Sequence, residues 1–310
     1  MLLSSKTNNS TFNQIRFRYT FPIKFRYIFI IYLLLNLIGL MVYAVAVSLV
    51  PSFPNFEDPI LTHVIYIYSF GGLCYYLWEK LRLDGLKPQY LIGNKISRYH
   101  WWSLLGLVIV LLLFSLGAGL LLHGVLLSFA PNFLEFFLEE ESQVSSLPII
   151  YKCLETINII VVAPITEEFI FRGVLLHRFA TKWNIAIAIW ISSIIFGLLH
   201  PLDPVGASLF GVVMALLYLK TKTLTVPIVA HAMNNTIAVI VQVWGTFVEN
   251  NGSIAESTTE ISSGDWIIGL LLVAVSLPFL IRFIYRRFPA KNKLLPYFAN
   301  EAKAIAEISD

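Results

Sequence analysis

Long apolar runs separated by short polar stretches fill this chain, and their lengths set its architecture. Eight runs are long enough, or nearly so, to cross about 30 Å of hydrocarbon as helices. They are Tyr27–Val50, Ile60–Trp78, Trp101–Ala130, Pro148–Arg172, Trp183–His200, Pro204–Leu219, Leu224–Phe247 and Trp266–Tyr285. The pattern predicts an all-α, polytopic membrane protein of about eight transmembrane helices. Residues 1–26 form a basic and aromatic N-terminal arm, and 27–147 hold three N-terminal helices. Residues 148–250 form a four-helix core. Residues 251–310 hold an outer loop, Gly252–Gly264, the last helix and a tail. The end of that tail, Glu301–Asp310, is expected to be short, polar and mobile.

Composition agrees. Hydrophobic residues make up 57% of the 310 and charged residues only 13%, which excludes a soluble globular domain. The two cysteines, Cys74 and Cys153, lie inside apolar runs with no C-x-x-C spacing, so no disulfide framework is predicted. With the N-terminus inside and the helices alternating, every lysine and arginine except Lys152 falls on inner segments. The outer loops collect Glu57, Asp58, Glu135, Glu139–Glu141, Asp203, Glu249, Glu256, Glu260 and Asp265. The excess of Lys and Arg on one side places both termini in the cytoplasm, with the chain in the plasma membrane if the cell is prokaryotic. The arm is no cleavable signal peptide, because the apolar run after it is too long. Its bases alternate with aromatics over Phe12–Arg26, a pattern that can bind nucleic acid. Beside a membrane helix it reads instead as an interfacial anchor on anionic lipid, and the lipid bilayer, not nucleic acid, is the predicted partner.

Polar residues inside the apolar runs are the candidates for chemistry. A carboxylate at the bilayer centre costs about 2.5–3.5 kcal/mol on insertion scales, so it faces protein or water. Glu167 and Glu168 follow the apolar stretch Ile157–Ala163. Glu168 and Arg172 share a helix face in the favourable acid-first order. Glu167 lies about 100° round the helix with no sequence-local cation, and is the carboxylate left over for chemistry. A purely structural Glu–Arg–Glu network accounts for the same residues equally well. His200 ends the stretch Phe196-Gly197-Leu198-Leu199-His200, and His231 and Asn235 share one helix face. Taken singly, His200 reads as a helix cap and the His231–Asn235 pair as interhelical glue. Together they change the picture. A carboxylate and a histidine can hold and deprotonate a water, and a histidine and an asparagine can donate to an oxyanion. That set suffices to hydrolyse an amide without a covalent intermediate. His63 and His123 read as packing histidines, and His100 and His177 as interfacial ones. Asn36 and Asn158 read as interhelical hydrogen bonders, and Gly71, Gly72, Gly117, Gly119, Gly206 and Gly211 as close-packing sites. No His-Glu-x-x-His zinc motif and no Gly-x-Ser-Gly serine motif occurs, and Ser263-Gly264-Asp265 lacks the first glycine of the Gly-x-Gly-Asp aspartyl motif.

In chain order, Glu-Glu-x-x-x-Arg (Glu167, Glu168, Arg172), Phe-x-x-x-His (Phe196, His200) and His-x-x-x-Asn (His231, Asn235) resemble the CPBP family. That family, also called Abi, holds CAAX proteases and bacteriocin-processing enzymes, among them the type II CAAX prenyl endopeptidase. The resemblance covers Tyr151–Phe247 and makes 148–250 a catalytic core. It implies an intramembrane endopeptidase in which Glu167 activates the water and His200 shares it. His231 and Asn235 stabilise the oxyanion, with Glu168, Arg172 and Phe196 in support. The implied substrate is a membrane-tethered peptide, such as a CAAX-like C-terminus, a leader peptide or a membrane-protein fragment. A metal-free glutamate mechanism needs no cofactor. If a divalent metal such as zinc is bound, Glu167, His200 and His231 are its ligands, although no sequence-local pair preorganises it. The alternative is a non-catalytic immunity or scaffold protein, or a proton-coupled carrier; a carrier more often shows repeat symmetry, and none is seen. One conflict stands: His231 lies about 10 Å from the inner end of its span, whereas His200 ends a span that starts inside. Either that span begins below the membrane, or the Pro201–Pro204 turn is recessed.

Overall fold

The computed structural model describes residues 24–49, 59–94, 99–133, 149–251, 263–290 and 293–309. Most of the N-terminal arm, the acidic stretch around Glu139 and most of the Gly252–Gly264 loop lie outside them, as does the His63 side chain. Helix is the only regular structure among the described residues. Hydrocarbon offers backbone groups no partner, and a helix satisfies them locally. The elements are α1 (Phe25–Leu49), α2 (Pro59–Leu83), α3 (Gln89–Ile92), α4 (Trp101–Phe129), α5 (149–182), α6 (Ile185–Leu198), α7 (Pro204–Thr221), α8 (Thr225–Asn251), α9 (Ser263–Arg287) and α10 (Pro296–Ser309).

Among the described residues, five helices are long and apolar enough to cross a membrane: α1, α4, α7, and the greater parts of α8 and α9. The chain is an all-α, multi-pass membrane protein. The expected spans outside that set are α2, α5 and α6. α5 is interrupted twice by π-helical turns, and α6 has only 14 residues. These three carry the irregularities and polar groups from which the site is built.

α7 runs through the middle, with every residue from Phe210 to Leu219 buried. α4 and α9 pack antiparallel at very close range. A Cβ on Gly117 would sit 2.8 Å from the Gly269 carbonyl oxygen, and one on Gly124 would overlap the Trp266 ring. Gly72, Gly206 and Gly211 also approach neighbours closely, but Gly71 and Gly119 face open space. Asn36 bonds the Tyr32 carbonyl on its own helix at 2.8 Å, so it is not an interhelical contact.

The turn between α6 and α7 is recessed. α6 spans about 21 Å at 1.5 Å per residue. Asp203 caps α7 by accepting the Gly206 N–H at 2.9 Å. Its other oxygen accepts the hydroxyl of Ser115, which lies at the middle of α4. Asp203 is therefore held at mid-bundle depth and not in an outer loop. The same placement removes the conflict over His200 and His231.

At the opposite end, Glu301–Ser309 are the last turns of the helix α10, and Leu295, Tyr297 and Phe298 just before them are buried. The Asn300 amide donates to the carbonyls of Tyr90 and Lys222 at 2.8 and 2.9 Å. The Tyr297 N–H donates to His177 Nε2 at 3.2 Å, and His177 Nδ1 faces the Arg172 carbonyl at 3.3 Å. His177 is thus fully buried beneath α10, not interfacial.

Candidate active site

Pro164 explains the first irregularity of α5. In the π turn Asn158–Val162, the Ala163 N–H bonds back to the Asn158 carbonyl. Continuing that register would pair the Ile159 carbonyl with residue 164, a proline with no N–H to give. The Asn235 side-chain amide supplies the missing donor at 2.8 Å. This bond ties α8 to α5 about two turns before the two glutamates. A second π turn, Phe169–Leu175, follows them. Between lies the short α-helical stretch Ala163–Glu168. Such bulges re-aim side chains and recur at functional sites.

Glu168 and Arg172 pair as the spacing predicts, at 3.1 Å, with side chains 0% and 2% exposed. Neither terminal nitrogen of Arg172 is placed for a formal hydrogen bond, so the contact is an ion pair. The guanidinium also lies over the Phe196 ring, 4.6 Å from its centroid. In a desolvated setting such a cation–π contact is worth about 2 kcal/mol. Glu168 is more than Arg172's counterion. Its Oε1 also meets His231 Nδ1 at 3.0 Å. With a carboxylate as acceptor, Nδ1 carries the proton, and the bond fixes the ring's orientation.

The other ring nitrogen of His231 faces the other glutamate. Nε2 lies 3.9 Å from Glu167 Oε2. Glu167 Oε1 accepts the hydroxyl of Tyr66, from α2, at 2.8 Å. The ring of His231 is clasped edge-to-face by Phe210 and Phe196, at centroid distances of 5.0 and 6.0 Å. His200 packs against Phe196 at 4.5 Å, and its Nδ1 faces the Phe196 carbonyl at 2.8 Å. Because a carbonyl only accepts, Nδ1 carries the proton and Nε2 is the bare nitrogen.

Two cavities meet at His200. The larger, about 470 Å³, is lined by Glu167, Tyr66 and His200 at one end and is otherwise almost wholly apolar, reaching Phe25 and Phe29 at the start of α1. The smaller, about 100 Å³, is polar, with His231, Asn234, Asn235, Ser115, Asp203 and His200 among its lining. Glu167, His200, His231, Asn235, Glu168, Arg172 and Phe196 are therefore gathered into one neighbourhood by α5, α6 and α8. Tyr66, Ser115, Asp203 and Asn234 join them without having been expected. Tyr66 sits in an aromatic-rich run with no motif around it. Asp203 was visible as an acid between two short apolar runs, and the shortness of the Pro204–Leu219 run was the signal that the turn before it lies inside.

A metal fits this arrangement poorly. Among the described residues, no three of His, Cys, Asp and Glu are grouped so as to hold an ion.

Comparison with known proteins agrees with the motif positions. Residues 149–237 match the model for "Type II CAAX prenyl endopeptidase Rce1-like". A Bacillus subtilis (strain 168) protein named "Putative membrane peptidase YdiL" is 44% identical over 85 residues, 26% of this chain and 34% of that protein. The "Membrane-embedded CAAX protease MroQ" of Staphylococcus aureus (strain USA300) is 37% identical over 91 residues, 26% of this chain and 36% of that protein. The matched segment thus spans about a third of either relative. No solved structure matches the chain. The stretch that places Glu167, His200 and His231 around two cavities is the stretch that matches, and over residues 149–237 the chain is similar to the Rce1-like type II CAAX prenyl endopeptidases.

Proposed function

We propose that this protein is an intramembrane endopeptidase that cleaves a membrane-tethered peptide with a glutamate-activated water. The observation that carries the reading is that Glu167 and His200 open onto the polar end of an otherwise apolar cavity. That cavity takes the apolar part of the substrate and sets its carbonyl beside the carboxylate. Glu167 Oε2 removes a proton from water, whose oxygen adds to the carbonyl carbon, and His200 Nε2 holds the same water. The carbonyl electrons move onto oxygen. His231, held between the two glutamates, donates from Nε2 to that oxyanion. Asn235 donates with the amide hydrogen not used on Ile159. Glu167 then passes its proton to the amine nitrogen as the C–N bond breaks.

The names of the two relatives support proteolysis, and the polar set around His200 is what a peptidase needs. CAAX-like C-termini, leader peptides and membrane-protein fragments all share the required chemistry, an extended peptide next to an apolar anchor. Both termini lie on the cytoplasmic side in this reading. In its support, Lys80, Arg82, Lys182, Lys222, Arg286 and Arg287 belong to helix ends and turns that share one face in the alternation. The test is cleavage of lipid-anchored reporter peptides by the purified chain in vesicles. Cleavage by the wild type but not by Glu167→Gln is expected. Equal cleavage by both overturns the mechanism, and no cleavage of any tethered peptide by folded protein overturns the activity.

A further inference from the structure

We infer that Tyr66 is the positioning residue for the Glu167 carboxylate, an assignment that rests on the peptidase reading of the same site. Glu167 and Glu168 are consecutive, and two carboxylates in a poorly solvated site repel strongly unless each has its own donors. Glu168 has Arg172 and His231 Nδ1. Arg172 is paired with Glu168 and not with Glu167, whose donor at hydrogen-bond distance is the Tyr66 hydroxyl, 2.8 Å from Oε1. Holding Oε1 leaves Oε2 turned towards His231 Nε2, 3.9 Å away. Oε2 is then the oxygen available to a water, and Oε1 is not.

The phenol is itself well anchored. Its ring stacks on Phe70 at 4.4 Å, and Phe70 meets Tyr32 of α1 edge-on at 5.2 Å. Two turns along α2, Cys74 Sγ lies 3.7 Å from the carbonyl of Thr166, the residue before Glu167. α2 is thereby registered against the glutamate turn at two points. Tyr66 also lines the large cavity beside Glu167 and His200, so the donor reaches the carboxylate from the substrate's side. α2 lies outside residues 149–237, the stretch that matches the family model, and that stretch alone leaves Glu167 without this donor.

The test is Tyr66→Phe, which keeps the ring and its stacking and removes only the hydroxyl. The expected result is an unchanged melting temperature, a fall of about tenfold in kcat, and little change in KM. The second readout needs no turnover. Dicyclohexylcarbodiimide reacts with protonated carboxyls in apolar surroundings, and peptide mass spectrometry locates the adduct. Labelling at Glu167 should be stronger in Tyr66→Phe than in wild type under the same conditions, because the bond from the phenol is gone. Equal rates and equal labelling overturn the assignment. If Glu167→Gln cleaves normally, the peptidase reading falls, while the labelling comparison still decides whether Tyr66 governs this carboxylate.

Discussion

The α4–α9 pair and the α5–α6–α8 cluster occupy the same molecule and solve opposite problems. α4 and α9 meet through Gly117, Gly124 and Gly269, so close that no Cβ fits at the first two. Their contact is dispersion between small residues, which is how helices associate where lipid is as apolar as the side chains. The cluster buries a carboxylate, a guanidinium and an imidazole at 0–5% exposure. It does so by breaking helical regularity at Pro164 and again after Glu168. The lesson is that regular helix supplies the frame, and irregular helix supplies the free carbonyls and re-aimed side chains of a site.

The sharpest way to break this contrast is Glu167→Gln, which preserves shape and removes proton acceptance. Turnover should fall by at least about 10²–10⁴-fold, while the detergent melting temperature stays near that of wild type. Rates and melting curves measured side by side decide it. Glu168→Gln should do the reverse in emphasis. It strands Arg172 and loosens His231, and breaking a buried pair costs roughly 3–5 kcal/mol. Yield and melting temperature should drop first, with residual rate in whatever protein remains folded. A stable but inactive Glu168→Gln protein would exchange the roles of the two glutamates.

Gly117→Ala probes the other region. The new methyl meets backbone at Gly269, which cannot rotate away, so the helices must part at about 1–3 kcal/mol. The rate per folded molecule should hold within about twofold; a larger loss would mean that the frame and the site are coupled. The smallest expected effect is that of a metal chelator. Incubation with 1,10-phenanthroline should leave the rate unchanged, and a loss restored by added zinc would turn the site into a metal centre.

Much of this contrast was legible in the sequence. The apolar runs placed every long helix, and the Glu168–Arg172 spacing gave the ion pair. The co-occurrence of His200, His231 and Asn235 gave the neighbourhood. What the sequence hid depends on contacts between distant segments. Tyr66 reaches Glu167 across 101 positions, and Asp203 reaches Ser115 across 88. No local period encodes either. α10 was hidden for a different reason: its buried contacts, Leu295, Tyr297 and Phe298, are too few to stand out in a hydropathy pattern. Glu168 was underread, since its bond to His231 adds a duty that the acid–base spacing along α5 does not reveal.

The recessed α6–α7 turn has a consequence for the surrounding lipid. α1 and α4, at 25 and 29 residues, are about 37 and 43 Å tall. The hairpin beside them stops at about 21 Å on the α6 side. Around the turn, Leu198, Leu199 and Val205 are 70%, 61% and 54% exposed, so the notch has an apolar rim suited to acyl chains. A bilayer that matches α1 and α4 is taller than α6, so lipid beside α6 would have to thin to meet it. Mismatch of this kind costs fractions of a kcal/mol per ångström and grows with lipid chain length. Membrane thickness would then bear first on the turn that carries His200, the residue that follows Leu199 at this apolar rim.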